Sequence, residues 1–354
     1  MKAMILAAGL GTRLRPLTNE VSKPMVQMAN RPCMEHTVRL LARYGITDIV
    51  VNLHYMPEAI QEHFGDGTSF GVSITYSYEK ELMGTAGGFR RVREFFGDES
   101  ALIVSGDALT DINLDSFHRF HKENGGIASL ALKRVADPTQ YGVVVLDGQR
   151  ISRFQEKPKK EEAISNLANT GIYLFEPEIF NHIPANTFYD FGKQVFPELL
   201  AKDKGMYGYV MREYWCDVGD LGVYREAHYD MLTGVVAVDL PGKRLDGRIW
   251  LGSRVSIHTG STIVGPVLLG DRCVISEGAR IYGPVVIGND TVVGKNTLIK
   301  RGVLWNNVTV EDGVELTDSV VACNCTIPAN ILLQNEVLEK EVLQSICEVA
   351  CTKD

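Results

Sequence analysis

The chain has 354 residues, with 36 Lys/Arg against 44 Asp/Glu and a formal net charge of −8, a balance that argues against general binding to nucleic acid or an anionic membrane. It is too long for one small core and suits two domains, and its 45% hydrophobic and 23% charged residues are those of an ordinary globular protein. No apolar run reaches the roughly 18 residues of a membrane span, and the seven cysteines are scattered without zinc spacing, so the chain reads as reduced and cytoplasmic.

Residues 1–8 form a strand-length apolar run rather than a signal peptide, and the run leads straight into Gly9-Leu10-Gly11. Two glycines allow a tight turn and bring bare N–H groups close to a phosphate. Arg13, Arg15 and Lys23 follow, and residues 1–43 hold seven Lys/Arg against two Asp/Glu, a local cation excess that reads as an anion site. Leu14 stands where a dinucleotide fingerprint needs its third glycine, and no P-loop Gly-Lys-Ser/Thr follows.

Residues 49–53, 72–76 and 101–104 are short β-branched runs, while 34–44, 57–64 and 86–96 have helical spacing. Alternating strands and helices predict parallel βαβ units with ligands beyond the carboxyl ends of the strands, and Gly9 and Asp107 both fall just past such ends. From Leu251 the period changes. Nine aliphatic residues from Leu251 to Ile299 recur at every sixth position, each followed four residues later by a smaller one, Val255 to Val303. A six-residue period predicts a three-sided β-helix with the aliphatics inside. After Trp305 the register slips, and Val310 and Leu316 resume it one residue early. Leu338, Val342, Ile346 and Val349 then share one helical face, predicting a helix that caps the solenoid or packs on a neighbouring subunit. The expected boundaries are 1–235, 236–330 and 331–354.

From Gly9 to Pro24 the glycine loop, Arg13-Leu14, Pro16-Leu17-Thr18 and Lys23-Pro24 resemble the signature of the sugar-1-phosphate nucleotidylyltransferases, and the resemblance runs to about residue 235. Residues 249–330 resemble a left-handed hexapeptide β-helix. The fold this implies is α/β, a Rossmann-like mixed sheet followed by that parallel β-helix. The reaction it implies joins a nucleoside triphosphate to a hexose-1-phosphate, giving an NDP-sugar and pyrophosphate. Charge neutralisation and positioning would dominate such catalysis. The resemblance puts Arg13 on the β,γ-phosphates and Lys23 on the α-phosphate. It assigns the nucleotide to Ala8, Gly9, Gly11 and Thr12 beside Arg13, and to Gly84, Thr85 and Asp107. The sugar phosphate goes to Gly142, Glu156, Lys157, Asn169 and Asp190. Asp107 and Asp217 would hold Mg²⁺, whose preference for hard oxygen suits two carboxylates; Asp111 and Asp220 read as caps.

Gly84-Thr85-Ala86-Gly87 looks most like the stretch found in mannose-1-phosphate guanylyltransferases, which points to GTP and mannose-1-phosphate. Certain uridylyltransferases share it, which keeps UTP and glucose-1-phosphate as the alternative. A non-catalytic NDP-sugar-sensing subunit is disfavoured because Arg13, Lys23, Asp107, Lys157 and Asp217 are all present. An acyltransferase reading of the β-helix would need a histidine base, and His258, the only histidine there, reads as a corner residue. The β-helix and C-terminal helix are instead expected to assemble a homo-oligomer. No nucleic-acid or membrane partner is expected.

Overall fold

A computed structural model describes residues 1–340. The chain divides into two compact units, one formed by Met1–Leu10, Ser22–Met25 and Cys33–Asp217, the other by Gly11–Val21, Val26–Pro32 and Val218–Asp354. Among the described residues no helix is long and apolar enough to cross a membrane.

The first unit is built on nine strands: β1 (Lys2–Leu6), β2 (Asp48–Leu53), β3 (Ser73–Tyr78), β4 (Ala101–Ser105), β5 (Ala128–Arg134), β6 (Val143–Asp147), β7 (Arg150–Gln155), β8 (Leu167–Phe175) and β9 (Met206–Val210). They lie in the order β3-β2-β1-β4-β8-β5-β9-β7-β6. β1 to β4 run parallel, whereas β8 is antiparallel to both β4 and β5, which makes the sheet mixed. The predicted strands and helices appear here with ends shifted by one or two residues, as in helix Cys33–Arg43 for 34–44. The helix predicted over 86–96 is two pieces, Gly84–Arg91 and Arg93–Phe96, separated at Val92. Parallel β1 and β4 are buried along most of their length because crossover helices cover their faces, so they read as continuous apolar runs rather than alternating ones. A two-stranded ribbon, Ala108–Thr110 against Trp215–Asp217, stands apart from the main sheet.

In the second unit three parallel sheets form the β-helix. Successive coils pair in register 18 residues apart, as in Ile263↔Ile281 and Val267↔Val285. The inward positions Leu269, Ile275, Ile281, Ile287, Val293 and Ile299 are buried, as the six-residue period requires, whereas in the first coil Leu251 and Ile263 are only partly buried and Ile257 is exposed. The one-residue shortening falls before Trp305 rather than after it, because Ile287 pairs with Leu304 and Val293 with Val310. Leu304 therefore takes the inward position, and the Trp305 indole is released to donate to the Tyr224 hydroxyl at 2.8 Å. That hydroxyl in turn donates to the Gln27 carbonyl at 2.6 Å, fixing helix Leu221–Thr233 to the unit.

The β-helix continues past the expected boundary at 330. Strands Leu332–Gln334 and Val337–Leu338 complete a further coil where a helix was predicted. Leu338, expected on one helical face with Val342, Ile346 and Val349, instead takes an inward position of this coil, paired with Val321. The rest of the expected helix, 341–354, lies outside the described residues.

In strand Val274–Ile275 burial separates the two faces, so Ile275→Ala should cost ~2–5 kcal/mol in denaturant unfolding. Outward-facing, exposed Val274 should tolerate Ala within about 0.5 kcal/mol; equal losses at both sites would contradict the inward register.

Candidate active site

β1 and β4 run side by side, and their ends deliver Leu6 and Gly106 to one place, where the Gly106 N–H donates to the Leu6 carbonyl at 2.9 Å. A Cβ on Gly106 would sit 3.0 Å from Ile5 Cγ2 and 3.2 Å from the Leu6 oxygen, so glycine permits this close approach. Asp107 follows at once, and the Ser105 hydroxyl donates to its Oδ1. The ribbon then pairs Asp217 with Ala108, setting a second carboxylate beside the first.

Lys23 closes this cluster from a short 3₁₀ turn, Lys23–Met25. Its side chain is 9% exposed, and Nζ lies 2.5 Å from Asp107 Oδ2 and 3.0 Å from Asp217 Oδ1. Burial alone would disfavour the ammonium, but the Asp107 and Asp217 charges outweigh it and raise Lys23 above the usual lysine range. Burial likewise opposes the charge on Asp107, and the Lys23 ammonium nevertheless holds its carboxyl below the usual range. Cys33, at the start of the neighbouring helix, is pushed up by burial and then by Asp107, so its thiol stays protonated.

A second group surrounds Glu156. Lys157 adopts φ 42° and donates its N–H to the Tyr141 carbonyl, while the Asn169 N–H donates to the Gly142 carbonyl at 2.8 Å. Cβ atoms on Gly142 and Gly192 would lie 2.9 and 2.4 Å from Glu156 Oε2, so both backbones press against that carboxylate. Burial first, opposed by Lys157 and assisted by Asp190, raises the Glu156 carboxyl above its ordinary range. Asn169 Nδ2 donates to the Tyr173 hydroxyl at 2.9 Å. Trp215, two residues before Asp217, packs its ring 5.3 Å from that of Tyr141 and joins this group to the Lys23 cluster.

Asp190 caps the following helical turn: Oδ1 accepts from the N–H groups of Gly192 and Lys193, and Oδ2 from the Thr85 hydroxyl at 3.1 Å. Gly84 has φ 72°, and a Cβ there would sit 2.5 Å from the Tyr189 oxygen. Ala86 and Gly87 donate their N–H groups to that same oxygen, so these donors hold the 189–192 loop. Asp220 caps helix Leu221–Thr233 as expected, whereas Asp111 accepts from Tyr214 N and the cap of helix Leu114–Asn124 is Asn113. Ala8 is buried, and no atom lies within 4 Å of a Cβ built on Gly9. In the second unit, Gly11 has φ 64° and precedes the turn Thr12–Leu14, in which Thr12 and Arg13 are exposed. Exposed His258 accepts from Gly260 N at a β-helix corner.

One buried relay had no sequence signal. Asn52 Oδ1 accepts from Ala7 N at 2.9 Å, Asn52 Nδ2 donates to Glu79 Oε1 at 2.8 Å, and Glu79 Oε2 accepts from Met83 N at 3.0 Å. It ties the start of the glycine loop to the Gly84 segment, yet Glu79 sits among charges that look solvated in the sequence.

The nucleotidyl transferase family model matches residues 2–234. The chain belongs to that family. A second model, the GMPPB C-terminal domain, matches residues 263–350. A Synechocystis UTP–glucose-1-phosphate uridylyltransferase is 39% identical over 271 residues, covering 72% of this chain and 70% of the relative. A Mycobacterium tuberculosis mannose-1-phosphate guanylyltransferase is 34% identical over 268 residues, covering 74% of each. A structure described as a Bacillus anthracis glucose-1-phosphate thymidylyltransferase superposes with TM-score 0.59 at 26% identity, covering 64% of this chain and 94% of that one. The family's enzymes are nucleotidyltransferases, and the mixed α/β unit of this chain has their fold.

Lys23→Met would leave Asp107 and Asp217 facing each other without their cation. Because both carboxylates are partly exposed, the expected loss is about 1–3 kcal/mol, below the ~3–5 of a fully buried broken pair. Urea unfolding in chelator measures it, and Lys23→Met/Asp107→Asn should recover part of the loss.

Proposed function

We propose that the chain is a Mg²⁺-dependent sugar-1-phosphate nucleotidylyltransferase that uses GTP and mannose-1-phosphate. The observation that carries this reading is the Lys23 ammonium bonded to both Asp107 and Asp217. A nucleotidyl transfer needs one cation at the phosphorus under attack and a pair of hard oxygen ligands beside it. Asp107 and Asp217 supply two carboxylates, and an ion between them would be completed by phosphate oxygens and water. Asp107 and Asp217 would hold Mg²⁺, which when bound neutralises phosphate charge as pyrophosphate leaves.

Lys23 is assigned the α-phosphate and Arg13 the departing pyrophosphate. Ala8, Gly9, Gly11 and Thr12 would line the nucleotide with Gly84 and Thr85. Lys157 would neutralise the sugar phosphate, while Glu156 accepts from sugar hydroxyls and Gly142, Asn169 and Asp190 shape that pocket. The GMPPB C-terminal match and the guanylyltransferase relatives support GTP with mannose-1-phosphate. The uridylyltransferase relative at 39% identity supports a second reading, UTP with glucose-1-phosphate. Cytoplasmic location and a homo-oligomer formed through the β-helix and C-terminal segment belong to the same proposal.

The test is pyrophosphate release from GTP, UTP, dTTP, ATP and CTP, each paired with mannose-, glucose- and galactose-1-phosphate in Mg²⁺. GTP with mannose-1-phosphate should turn over fastest, and silence in every pairing would overturn the reading. Lys23→Ala and Asp107→Ala should each lower kcat by about 10²-fold or more. An active Asp107→Ala would remove the metal assignment. Gly192→Ala pushes a Cβ into Glu156 and should raise KM for the sugar phosphate roughly tenfold, ~1.4 kcal/mol, with KM for the nucleotide little changed.

A further inference from the structure

The β-helix begins with an antiparallel hairpin, Lys243–Leu245 against Ile249–Leu251, in which Arg244 lies directly opposite Trp250. Directly opposed residues of an antiparallel pair project from the same face, and the Arg244 guanidinium carbon accordingly sits 5.5 Å from the indole centroid. The hairpin turn contains Gly247 at φ 71° and Arg248 at φ 59°. That turn sends Arg248 towards the end of helix Leu221–Thr233, where Nη1 donates to the Thr233 carbonyl at 3.3 Å. This bond uses one of the five N–H groups of the guanidinium.

Arg244, Arg248 and Trp250 line one cavity of about 470 Å³, entirely within the second unit. Its apolar lining includes Met231, Leu232 and Val236, all buried. Asp239 also lines it, with its carbonyl accepting from Arg31 Nη1 at 2.5 Å. Among the described residues neither Arg244 nor Arg248 is ion-paired with an acid, in a chain of net charge −8. Two guanidiniums, one indole and an apolar floor in a cavity of ordinary small-molecule size match a ligand with a flat apolar body and an anionic end.

We propose that this cavity is a second ligand site that takes a nucleoside monophosphate, its phosphate on Arg244 and Arg248 and its base against Trp250 and the apolar floor. The site lies outside the residues assigned to nucleotidyl transfer and does not rest on that assignment.

The experiment is a tryptophan-fluorescence titration of the full chain with AMP, repeated with Trp250→Phe and with Arg244→Ala/Arg248→Ala. AMP should quench saturably in the wild type. The Trp250 component should vanish in Trp250→Phe, and affinity should fall at least tenfold in the double variant. Inorganic phosphate should compete, and adenosine should bind at least tenfold more weakly than AMP. Absence of a saturable Trp250-dependent change, unchanged affinity in the double variant, or adenosine binding as tightly as AMP would each overturn the proposal. Lys23→Ala should bind AMP at this site as the wild type does, and the double variant should turn over normally without AMP, so failure here and failure of the catalytic reading are distinguishable.

Discussion

Two carboxylates held within reach of one ammonium is the constraint around which the first unit is arranged. Asp107 and Asp217 belong to segments more than a hundred residues apart, and like charges at such range repel. The ribbon pairing Ala108–Thr110 with Trp215–Asp217 forces them together, and Lys23 offsets the repulsion at 2.5 and 3.0 Å. Each neighbouring feature serves that geometry. Gly106 lets the end of β4 close on β1, Ser105 orients the Asp107 carboxylate, and the protonated Cys33 thiol fills space without adding charge. A site of this kind is preorganised because its backbone supports were settled on folding, so little reorganisation is left for the moment of binding.

A contrasting logic governs the Glu156 group. There the carboxylate has no ion-pair partner at hydrogen-bond range among the described residues, and burial raises its proton affinity. The backbones of Gly142 and Gly192 are pressed against it where any side chain would collide. Thr85 and Asp190 bond the Gly84 segment to the 189–192 loop, and the Tyr189 carbonyl receives two N–H groups from that segment. The Gly84 segment and the 189–192 loop are thus one hydrogen-bonded body, with Gly192 of that loop packed against Glu156.

Local pattern made much of this legible. The six-residue period identifies the β-helix because each inward aliphatic is a separate vote for the same geometry, and the strand runs are legible enough to put Gly9 and Asp107 just past the ends of β1 and β4. Lys23, Asp107 and Asp217 were readable from motif context. Their mutual bonding was not, since it depends on a ribbon whose strands are far apart in sequence. The Asn52–Glu79 relay carries no pattern at all, because burial of a charged residue is decided by the tertiary fold. The helix expected from 331 failed at its first turns for a related reason. Leu338 carries the same apolar signal on a helix face as on the inside of a coil, and its pairing with Val321 in the preceding coil decides for the coil.

The one-residue shortening in the coil after Ile299 also shows how a repeat acquires a specific attachment. Had the period held, Trp305 would fill the tube, a volume set elsewhere by Ile, Leu and Val. Dropping one residue gives that place to Leu304 and turns the indole N–H to the Tyr224 hydroxyl. An indole donor buried inside an aliphatic tube would lack a partner, at a cost of about 1–3 kcal/mol; outside it, the same group bonds the helix. The hairpin at the other end follows the same economy of position. Lys243–Leu245 covers the edge of the seven-stranded sheet, while the other two sheets begin directly on their first strands. A covering strand joined to that edge by a short turn must run antiparallel to it, and that reversal sets Arg244 across from Trp250. Both departures from the repeat replace a uniform solenoid surface with one particular side-chain arrangement.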